Sequence, residues 1–279
     1  MSTETHGAAD RRQRDTGTLQ DVLRFEAERR VRVTVVIAVL LSVLGAFYVW
    51  LGPQIVTGTG MEEILDSLPP AMNVLFGFES LTTLEGLLAS EYYTFGYIVG
   101  LGAYVAYSAA GSVAGDVQHD RMDTVLSAPI SRTSVLLGKY LALLVPILAA
   151  NVVVPVALYV ASVLVGDPIA AEPLAVVHVL AIPYLLCWSA VGLLIGAVVH
   201  RGRTAGRIAM GLVFAAWILE SFLTTTDYSW LGGVSPTRYF DPPDVFVNGT
   251  YDVVGAVVLL AAAVVLLGIA RAWFQRHDV

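Results

Sequence analysis

Six long stretches of the chain lack charged residues almost completely, and this pattern constrains the fold more than any other feature of the sequence. The hydrocarbon core of a bilayer is about 30 Å thick, and roughly 20 apolar residues cross it as an α-helix. Each stretch has about that length, and Glu220 is the one acid in the interior of any of them. We therefore predict six transmembrane helices, at about residues 33–51, 95–115, 140–165, 174–199, 206–223 and 253–270.

The composition supports a membrane protein and excludes several other classes. Charged residues make up 14% of the chain and hydrophobic residues 56%, whereas about 25% of the residues in a soluble domain are charged. Cys187 is the single cysteine, so a disulfide scaffold is excluded. We predict an all-α polytopic membrane protein, with a disordered tail over residues 1–17 and one transmembrane domain over 18–279.

The positions of the basic residues predict the orientation of the helices. Positively charged residues near short loops are retained on the cytoplasmic side of a membrane. In this chain, 15 of the 16 Lys and Arg residues precede the first span, follow the last one, or lie in the loops after spans two and four. The remaining one, Arg238, lies alone in the loop between spans five and six. Both termini are therefore predicted to be cytoplasmic.

Aromatic residues near the ends of the predicted spans are consistent with this orientation. Tyrosine and tryptophan side chains prefer the level of the lipid headgroups. By this rule, one group is predicted to form an aromatic belt at the outer surface: Trp50, Tyr92, Tyr93, Tyr97, Tyr228 and Trp230.

The chain lacks the motifs of a self-sufficient enzyme. The one Gly-Lys pair, Gly138-Lys139, has no glycine at the upstream position that a phosphate-binding loop requires. The five histidines lie in different segments and form no ligand pattern with the cysteine. We predict that the protein is not an enzyme, carries no cofactor and binds no nucleic acid.

Two polar segments on the predicted cytoplasmic side are candidate functional elements. Thr18–Arg30 has apolar and charged residues at helical spacing, which predicts an amphipathic helix at the membrane interface. The second segment, residues 116–139, contains a short amphipathic stretch that Pro129 would end, and Ser131 or Thr133 could cap the helix that follows. Such a short cytoplasmic helix is a candidate docking surface.

At the second segment the chain resembles the permease subunits of ABC-2 type ABC transporters. The family pattern has an acidic residue, polar residues, a threonine with an apolar pair, a proline, Ser-Arg and then Gly-Lys. The matching residues are Asp116, Asp120, Thr124, Val125, Leu126, Pro129, Ser131, Arg132, Gly138 and Lys139. The entry helix, the Leu68-Pro69-Pro70 segment and the Ser235–Pro242 stretch also resemble the layout of that family, so the resemblance covers nearly the whole chain.

The resemblance implies a multi-pass permease subunit in the cell membrane, in an ATP-driven transporter that is expected to be an exporter. Its expected partners are a separate ATP-binding subunit and a second permease, identical or different. The segment 116–131 would contain the coupling helix that docks on the ATPase. The residues expected to contribute to coupling are Asp116, Asp120, Arg121, Asp123, Thr124, Leu126, Pro129, Ser131 and Arg132.

Glu220 is the second candidate site. A charged side chain within a span costs roughly 2.5 to 3.5 kcal/mol on insertion scales, so it is a functional candidate by default. Our hypothesis is that Glu220 lines a translocation path near the outer gate, and the alternative is a structural position facing the water interface. Two other function classes stay open: a stand-alone secondary transporter or channel, and a membrane assembly factor without transport. The substrate is not indicated by the sequence.

Overall fold

The computed structural model describes residues 3–56, 83–118, 131–224 and 226–276. Within these ranges the chain is helical, without strands, and six helices are long and apolar enough to cross a membrane. The predicted all-α fold with six spans is therefore confirmed. The helices are α1 (Thr3–Val56), α2 (Leu84–Gln118), α3 (Arg132–Val165), α4 (Ala171–Val198), α5 (Gly202–Leu223) and α6 (Val253–Arg276). Short helical turns lie between α5 and α6, at Ser229–Val234, Pro236–Tyr239 and Asp244–Asn248.

The helices extend beyond the apolar windows from which the spans were predicted. Helix α2 begins at Leu84 instead of residue 95, and α3 begins at Arg132 instead of residue 140. Side-chain caps set both starts: Thr83 Oγ1 accepts a hydrogen bond from the Gly86 amide at 3.0 Å, and Ser131 Oγ accepts one from the Ser134 amide at 3.0 Å. Because a capped helix continues through polar residues, hydropathy alone places these starts too late.

Helix α1 begins well before the first predicted span. Its backbone is helical from Thr3. The segment predicted as an interfacial helix, Thr18–Arg30, continues directly into the first span, and Glu26 and Arg30 are buried. A Cβ atom on Gly138 of α3 would lie 2.6 Å from Val22 Cγ1. The amphipathic segment therefore packs on α3 and forms one helix with the first span.

Helix α4 lies at the centre of the bundle. It packs against α2 and α6 over long surfaces and also contacts α3 and α5, while α1 packs along α3 and α5 packs along α2. The closest approach is between α4 and α2, where a Cβ atom on Gly192 would lie 2.3 Å from the Ala106 carbonyl oxygen, and one on Gly196 would lie 2.5 Å from that of Ala110. Glycine is required at these positions because the backbones touch.

Only some of the aromatic residues predicted for the outer belt are exposed. Tyr228 and Trp230 are exposed, but Tyr92, Tyr93 and Tyr97 of α2 are fully buried in the bundle. The prediction for these three was wrong because they also lie on the face of α2 that packs inward. The Tyr97 hydroxyl donates to the carbonyl oxygen of Ala150 in α3 at 3.3 Å, so buried tyrosine hydroxyls are satisfied by neighbouring backbone.

A buried histidine joins three helices near these tyrosines. His178 Nε2 lies 3.0 Å from the Tyr93 hydroxyl, and Nδ1 lies 3.0 Å from Asn151 Oδ1 and 3.2 Å from the Tyr97 hydroxyl. The Asn151 amide nitrogen donates to the Ile147 carbonyl at 2.8 Å, which leaves Oδ1 as an acceptor. This pattern fits a neutral imidazole that is protonated at Nδ1 and accepts the Tyr93 proton at Nε2. The network fixes α2, α3 and α4 relative to one another.

Candidate functional sites at the two ends of the bundle

Four buried charged residues from three helices meet at one end of the bundle, which we call the basic end. Lys139 of α3 lies at the centre, with its Nζ 2.7 Å from Glu26 Oε1 of α1 and 2.6 Å from Asp116 Oδ2 of α2. Arg30 of α1 lies 3.8 Å from Glu26 Oε2 and donates to the Ser108 hydroxyl of α2. These residues, Glu26, Arg30, Asp116 and Lys139, form what we call the inner ion cluster.

The inner ion cluster is buried and balanced in charge. The exposed fractions of its side chains are 4% for Lys139, 8% for Glu26, 10% for Arg30 and 15% for Asp116. Two cations face two carboxylates, so every charge has an opposite partner. Removing one partner of a buried ion pair typically costs about 3 to 5 kcal/mol because the other charge remains buried without compensation. The cluster therefore fixes the positions of α1, α2 and α3 at this end.

The cluster includes residues on both sides of the predicted coupling segment. Asp116 lies in the last turn of α2, and Lys139 lies in the first part of α3. Of the predicted coupling residues, Asp116, Ser131 and Arg132 are described, and six lie outside the described residues: Asp120, Arg121, Asp123, Thr124, Leu126 and Pro129. Both flanks of the segment 119–130 are thus connected to α1 through Lys139.

Further contacts tie the same flanks to α5 and α6. The Gly202 amide at the start of α5 donates to Gln118 Oε1 at 3.0 Å. Arg132 Nη1 donates to the Phe274 carbonyl oxygen near the end of α6 at 3.2 Å, and Gln275 Nε2 donates to Thr133 Oγ1 at 3.1 Å. A displacement of the segment 119–130 would therefore act on α1, α5 and α6 as well as on its own two helices.

A cavity of about 930 Å³ opens at the basic end between α1 and the paired helices α2 and α5. We call it the arginine cleft, because its described lining includes five arginines: Arg29 and Arg30 of α1, and Arg201, Arg203 and Arg207 at the start of α5. Glu26, Asp116 and Lys139 of the inner ion cluster also line it. The cleft and the cluster therefore share one wall.

At the opposite end of the bundle, the structure describes one ion pair. Arg238 Nη1 lies 3.2 Å from Glu220 Oε1 and also donates to the Ser229 carbonyl oxygen at 2.7 Å. The Glu220 side chain is 9% exposed and that of Arg238 is 38% exposed. Glu220 Oε2 is buried with no hydrogen-bond partner among the described residues. The one acid within the spans is thus paired with the lone cation of the loop between spans five and six.

The pair lies at the wall of a second cavity, of about 500 Å³, which we call the outer vestibule. Its lining includes Glu220, Arg238 and Asp241 together with several hydroxyl side chains. Phe240, in the same loop, is buried and stacks on Tyr184 of α4 with ring centroids 5.2 Å apart. This packing holds the loop against the bundle. Glu220 thus lies at the wall of a cavity, and its predicted position on a translocation path stays a prediction.

Asp241 is a titratable group of the outer vestibule. The residue is exposed at the cavity, and its Oδ1 accepts a hydrogen bond from the Asp244 amide at 3.3 Å. Loss of solvation raises its pKa to about 6, with the nearby carboxylate of Asp244 adding to the effect. Asp241 therefore changes charge within the range of ordinary buffers.

Sequence reasoning missed the inner ion cluster although it noted Lys139 and Asp116. The signal was available in part: Lys139 is the only lysine of the chain, and it follows the segment flanked by Asp116. The pairing with Glu26 and Arg30 depends on how α1 packs against α3, and hydrophobic periodicity does not specify this. The Glu220–Arg238 pair was missed for the same reason, although both residues had been noted as exceptions.

Comparison with known protein families agrees with this architecture. A family model described as ABC-2 family transporter protein matches residues 24–279. The chain belongs to the ABC-2 transporter family. The match begins near the start of the packed part of α1 and includes both charged ends, so the inner ion cluster and the outer vestibule both lie within the ABC-2 domain. A search of curated proteins found no match to the chain.

Membership of the ABC-2 family, together with six membrane-spanning helices, identifies the chain as a multi-pass membrane permease for transport. The resemblance stated from the segment at Asp116 is thereby confirmed. Within the described residues, the buried charged side chains of this ABC-2 permease lie at the basic end and at the outer vestibule.

Proposed function

We propose that this permease is the transmembrane subunit of an ATP-driven exporter in the cell membrane, and that a separate ATPase binds its basic end. ABC-2 permeases generally associate with an ABC ATPase subunit. The excess of Lys and Arg in the segments at the basic end supports placing that end in the cytoplasm, where ATP is available.

The observation that carries this proposal is the inner ion cluster. Segment 119–130 is the candidate docking element, and its two flanks are connected to α1 through the ion pairs that Asp116 and Glu26 form with Lys139. A buried, balanced cluster resists local deformation because separating its charges is costly. Movement of a docked ATPase would therefore be passed to α1, α2 and α3 together.

We expect the state open to the cytoplasm and the state open to the outside to differ by a joint shift of α1, α2 and α3. Packed helices move as units between discrete arrangements. In the proposed cycle, ATP-driven closure of the ATPase displaces the segment 119–130, the helices tied to its flanks move, and access changes between the arginine cleft and the outer vestibule. Glu220 would then lie on the exit path. A second permease subunit, identical or different, would complete the path.

Co-purification tests the proposed partner. The tagged chain would be purified from its native membrane in mild detergent, and the associated proteins would be identified by mass spectrometry. We expect an ATPase with a phosphate-binding loop to accompany the wild-type chain. Reversal of the two central charges, by Arg121→Glu with Asp123→Arg, should reduce its recovery at least tenfold while the chain still inserts into the membrane.

The matched control is Arg271→Glu, which reverses one exposed arginine on α6 at the same end of the bundle. It should leave ATPase recovery unchanged, and Arg121→Glu alone should reduce it. If no ATPase accompanies the wild-type chain even after chemical cross-linking, the proposed coupling to an ATPase is wrong.

A further inference from the structure

The arginine cleft has more cationic side chains than its carboxylates can neutralise. Its described lining contains six cationic side chains and two carboxylates. Both carboxylates, Glu26 and Asp116, are engaged by Lys139 at 2.7 and 2.6 Å. The charges of the arginines at the start of α5 are therefore not offset within the cleft.

The arginines of α5 have no acidic partners in the part of the chain that the structure describes. Arg201, Arg203 and Arg207 are exposed side chains, and no described carboxylate lies within ion-pair distance of them. A surface function in setting membrane orientation explains basic loops in general. It does not explain why these arginines face a cavity whose opposite wall is also cationic.

Arg30 provides an independent observation on that opposite wall. Its side chain is nine-tenths buried, and it lines the cleft. Glu26 lies 3.8 Å from its terminal nitrogen but is shared with Lys139, and Arg30 Nε has no hydrogen-bond partner among the described residues. A buried guanidinium nitrogen that lacks an acceptor favours an anion nearby.

The start of α5 adds a third source of positive potential. Gly202 and Thr204 of the first turn line the cleft, and Arg201 at the N-cap position makes no side-chain capping bond. The Gly202 amide donates to Gln118 Oε1, and the remaining amide groups of the first turn and the helix dipole attract anions, phosphate above all. On α2, a Cβ atom at Gly115 would meet nothing within 4 Å, so there is open space beside this turn.

We infer that the arginine cleft is a binding site for a phosphate group, carried either by an anionic lipid or by a soluble phosphate compound. Arginine binds phosphate through paired hydrogen bonds that lysine cannot reproduce. The cleft also has apolar surface, since Val33 of α1 and Tyr104 and Tyr107 of α2 line it. A phosphate at the arginines with an acyl chain along these residues would use both kinds of surface, so a phospholipid is the expected source. The inference concerns binding to the permease alone and does not depend on an ATPase.

Native mass spectrometry of the purified chain in detergent tests this site. The probes are dioleoyl phosphatidylglycerol, whose head group is anionic, and dioleoyl phosphatidylcholine, whose head group has no net charge. We expect the wild-type chain to bind phosphatidylglycerol at least tenfold more tightly. The variant Arg203→Gln with Arg207→Gln should lose roughly ten- to thirtyfold in that affinity, because each basic residue near an anionic head group contributes about fivefold.

The control is Arg271→Gln with Arg276→Gln, which removes two exposed arginines from the same end of the bundle, outside the lining of the cleft. It changes the net charge by the same amount and should alter the affinity less than twofold. Equal losses in the two variants would show general surface attraction and overturn the inference, as would equal binding of the two lipids by the wild-type chain.

A second arm separates the two sources of phosphate. Inorganic phosphate is added to the wild-type chain, and both displacement of phosphatidylglycerol and a rise in the unfolding temperature are measured. Displacement at millimolar phosphate, lost in Arg203→Gln with Arg207→Gln, would show that the phosphate group alone is recognised. Binding of phosphatidylglycerol that phosphate does not displace would assign the site to a lipid. Binding of neither probe would contradict the inference.

Discussion

The two ends of this permease both bury a glutamate from a membrane-spanning helix, and they compensate its charge in different ways. Glu26 belongs to a four-residue cluster in which Lys139 is shared with Asp116 of a third helix. Among the described residues, Glu220 has one partner, Arg238, whose side chain is 38% exposed, and its second oxygen has none. The inner cluster joins three helices, whereas the outer pair joins one helix to a loop.

This difference teaches what each end is built to do. A cluster with all charges paired and little solvent access behaves as a rigid joint, because any separation of its members is costly. A partly exposed pair with a spare carboxylate oxygen can exchange partners at a low cost. We therefore interpret the basic end as the part that transmits helix movement, and the outer vestibule as the part that changes its ion pairing in response.

Breaking the inner cluster should have the largest effect. Lys139→Met leaves Glu26 and Asp116 buried without their shared cation, so we expect a loss of about 3 to 5 kcal/mol in the free energy of unfolding. Chemical denaturation of the purified chain in detergent measures it. The double variant that adds Asp116→Asn removes the excess carboxylate, leaves Glu26 paired with Arg30 and should recover at least half of the loss. A single variant as stable as the wild type would contradict a buried cluster.

Breaking the outer pair should lower the free energy of unfolding by less, and the loss should depend on which of the two residues is replaced. Arg238→Gln leaves the Glu220 carboxylate buried and unpaired, and we expect a loss of about 2 kcal/mol, intermediate between exposed and buried pairs. Glu220→Gln leaves only a partly exposed arginine, so the loss should be below about 1 kcal/mol. The same denaturation experiment compares the two variants. If either variant loses as much free energy of unfolding as Lys139→Met does, the two ends do not differ in the way we infer.

The packing around Glu220 offers a sharper test of the outer end. A Cβ atom on Gly232 would lie 2.1 Å from Glu220 Oε2, so Gly232→Ala must displace the carboxylate. We expect a loss of about 1 kcal/mol from this overpacking. In a Glu220→Ala background the same substitution should be nearly neutral, because the clashing atoms are gone. Additive losses in the double variant would show that the two residues are not in contact.

A pH titration of Asp241 in the outer vestibule should give the smallest effect. The pKa of Asp241 is about 6 in the folded chain against an ordinary value of 3.8. The folded state therefore holds this proton more tightly, so its contribution to stability is present below about pH 4 and is lost as the pH rises to about 6. Thermal unfolding of both chains followed between pH 4 and pH 8 should show the wild type losing stability relative to Asp241→Asn as the pH rises to about 6, because all other titrating groups are shared by the two chains. An identical pH profile for Asp241→Asn would exclude Asp241 as the source.

The sequence predicted the number of spans and the family, because lipid imposes length and hydropathy on every crossing segment. It also named Ser131 as a candidate cap for the helix that starts α3, which the structure has, whereas the cap of α2 at Thr83 was not noticed because it lies well before the apolar window. It also assigned Tyr92, Tyr93 and Tyr97 to the interface, although they form part of the core. Composition shows that a helix crosses the membrane but leaves open which of its faces packs inward.

The sequence singled out individual residues of the two sites, but it did not predict which of them contact one another. Glu220 and Arg238 each stood out as a single charge in an unusual place, and their pairing at 3.2 Å required the fold. His178 and Asn151 were polar residues within apolar spans, a signal that could have indicated the buried network that they form. Pairings between distant segments depend on the rotation and depth of each helix, and those are set by packing such as that of Gly192 on Ala106.

Site-specific cross-linking tests most directly whether the ATPase binds the basic end. The only native cysteine is removed by Cys187→Ser, and a single new one is introduced by Thr124→Cys in the coupling segment or by Thr226→Cys in the loop at the opposite end. A maleimide cross-linker with a photoreactive group is then activated in native membranes, and the adducts are identified by mass spectrometry. Our account predicts an adduct with a P-loop ATPase from Thr124→Cys and none from Thr226→Cys. An ATPase adduct from Thr226→Cys alone, or from neither, would contradict it.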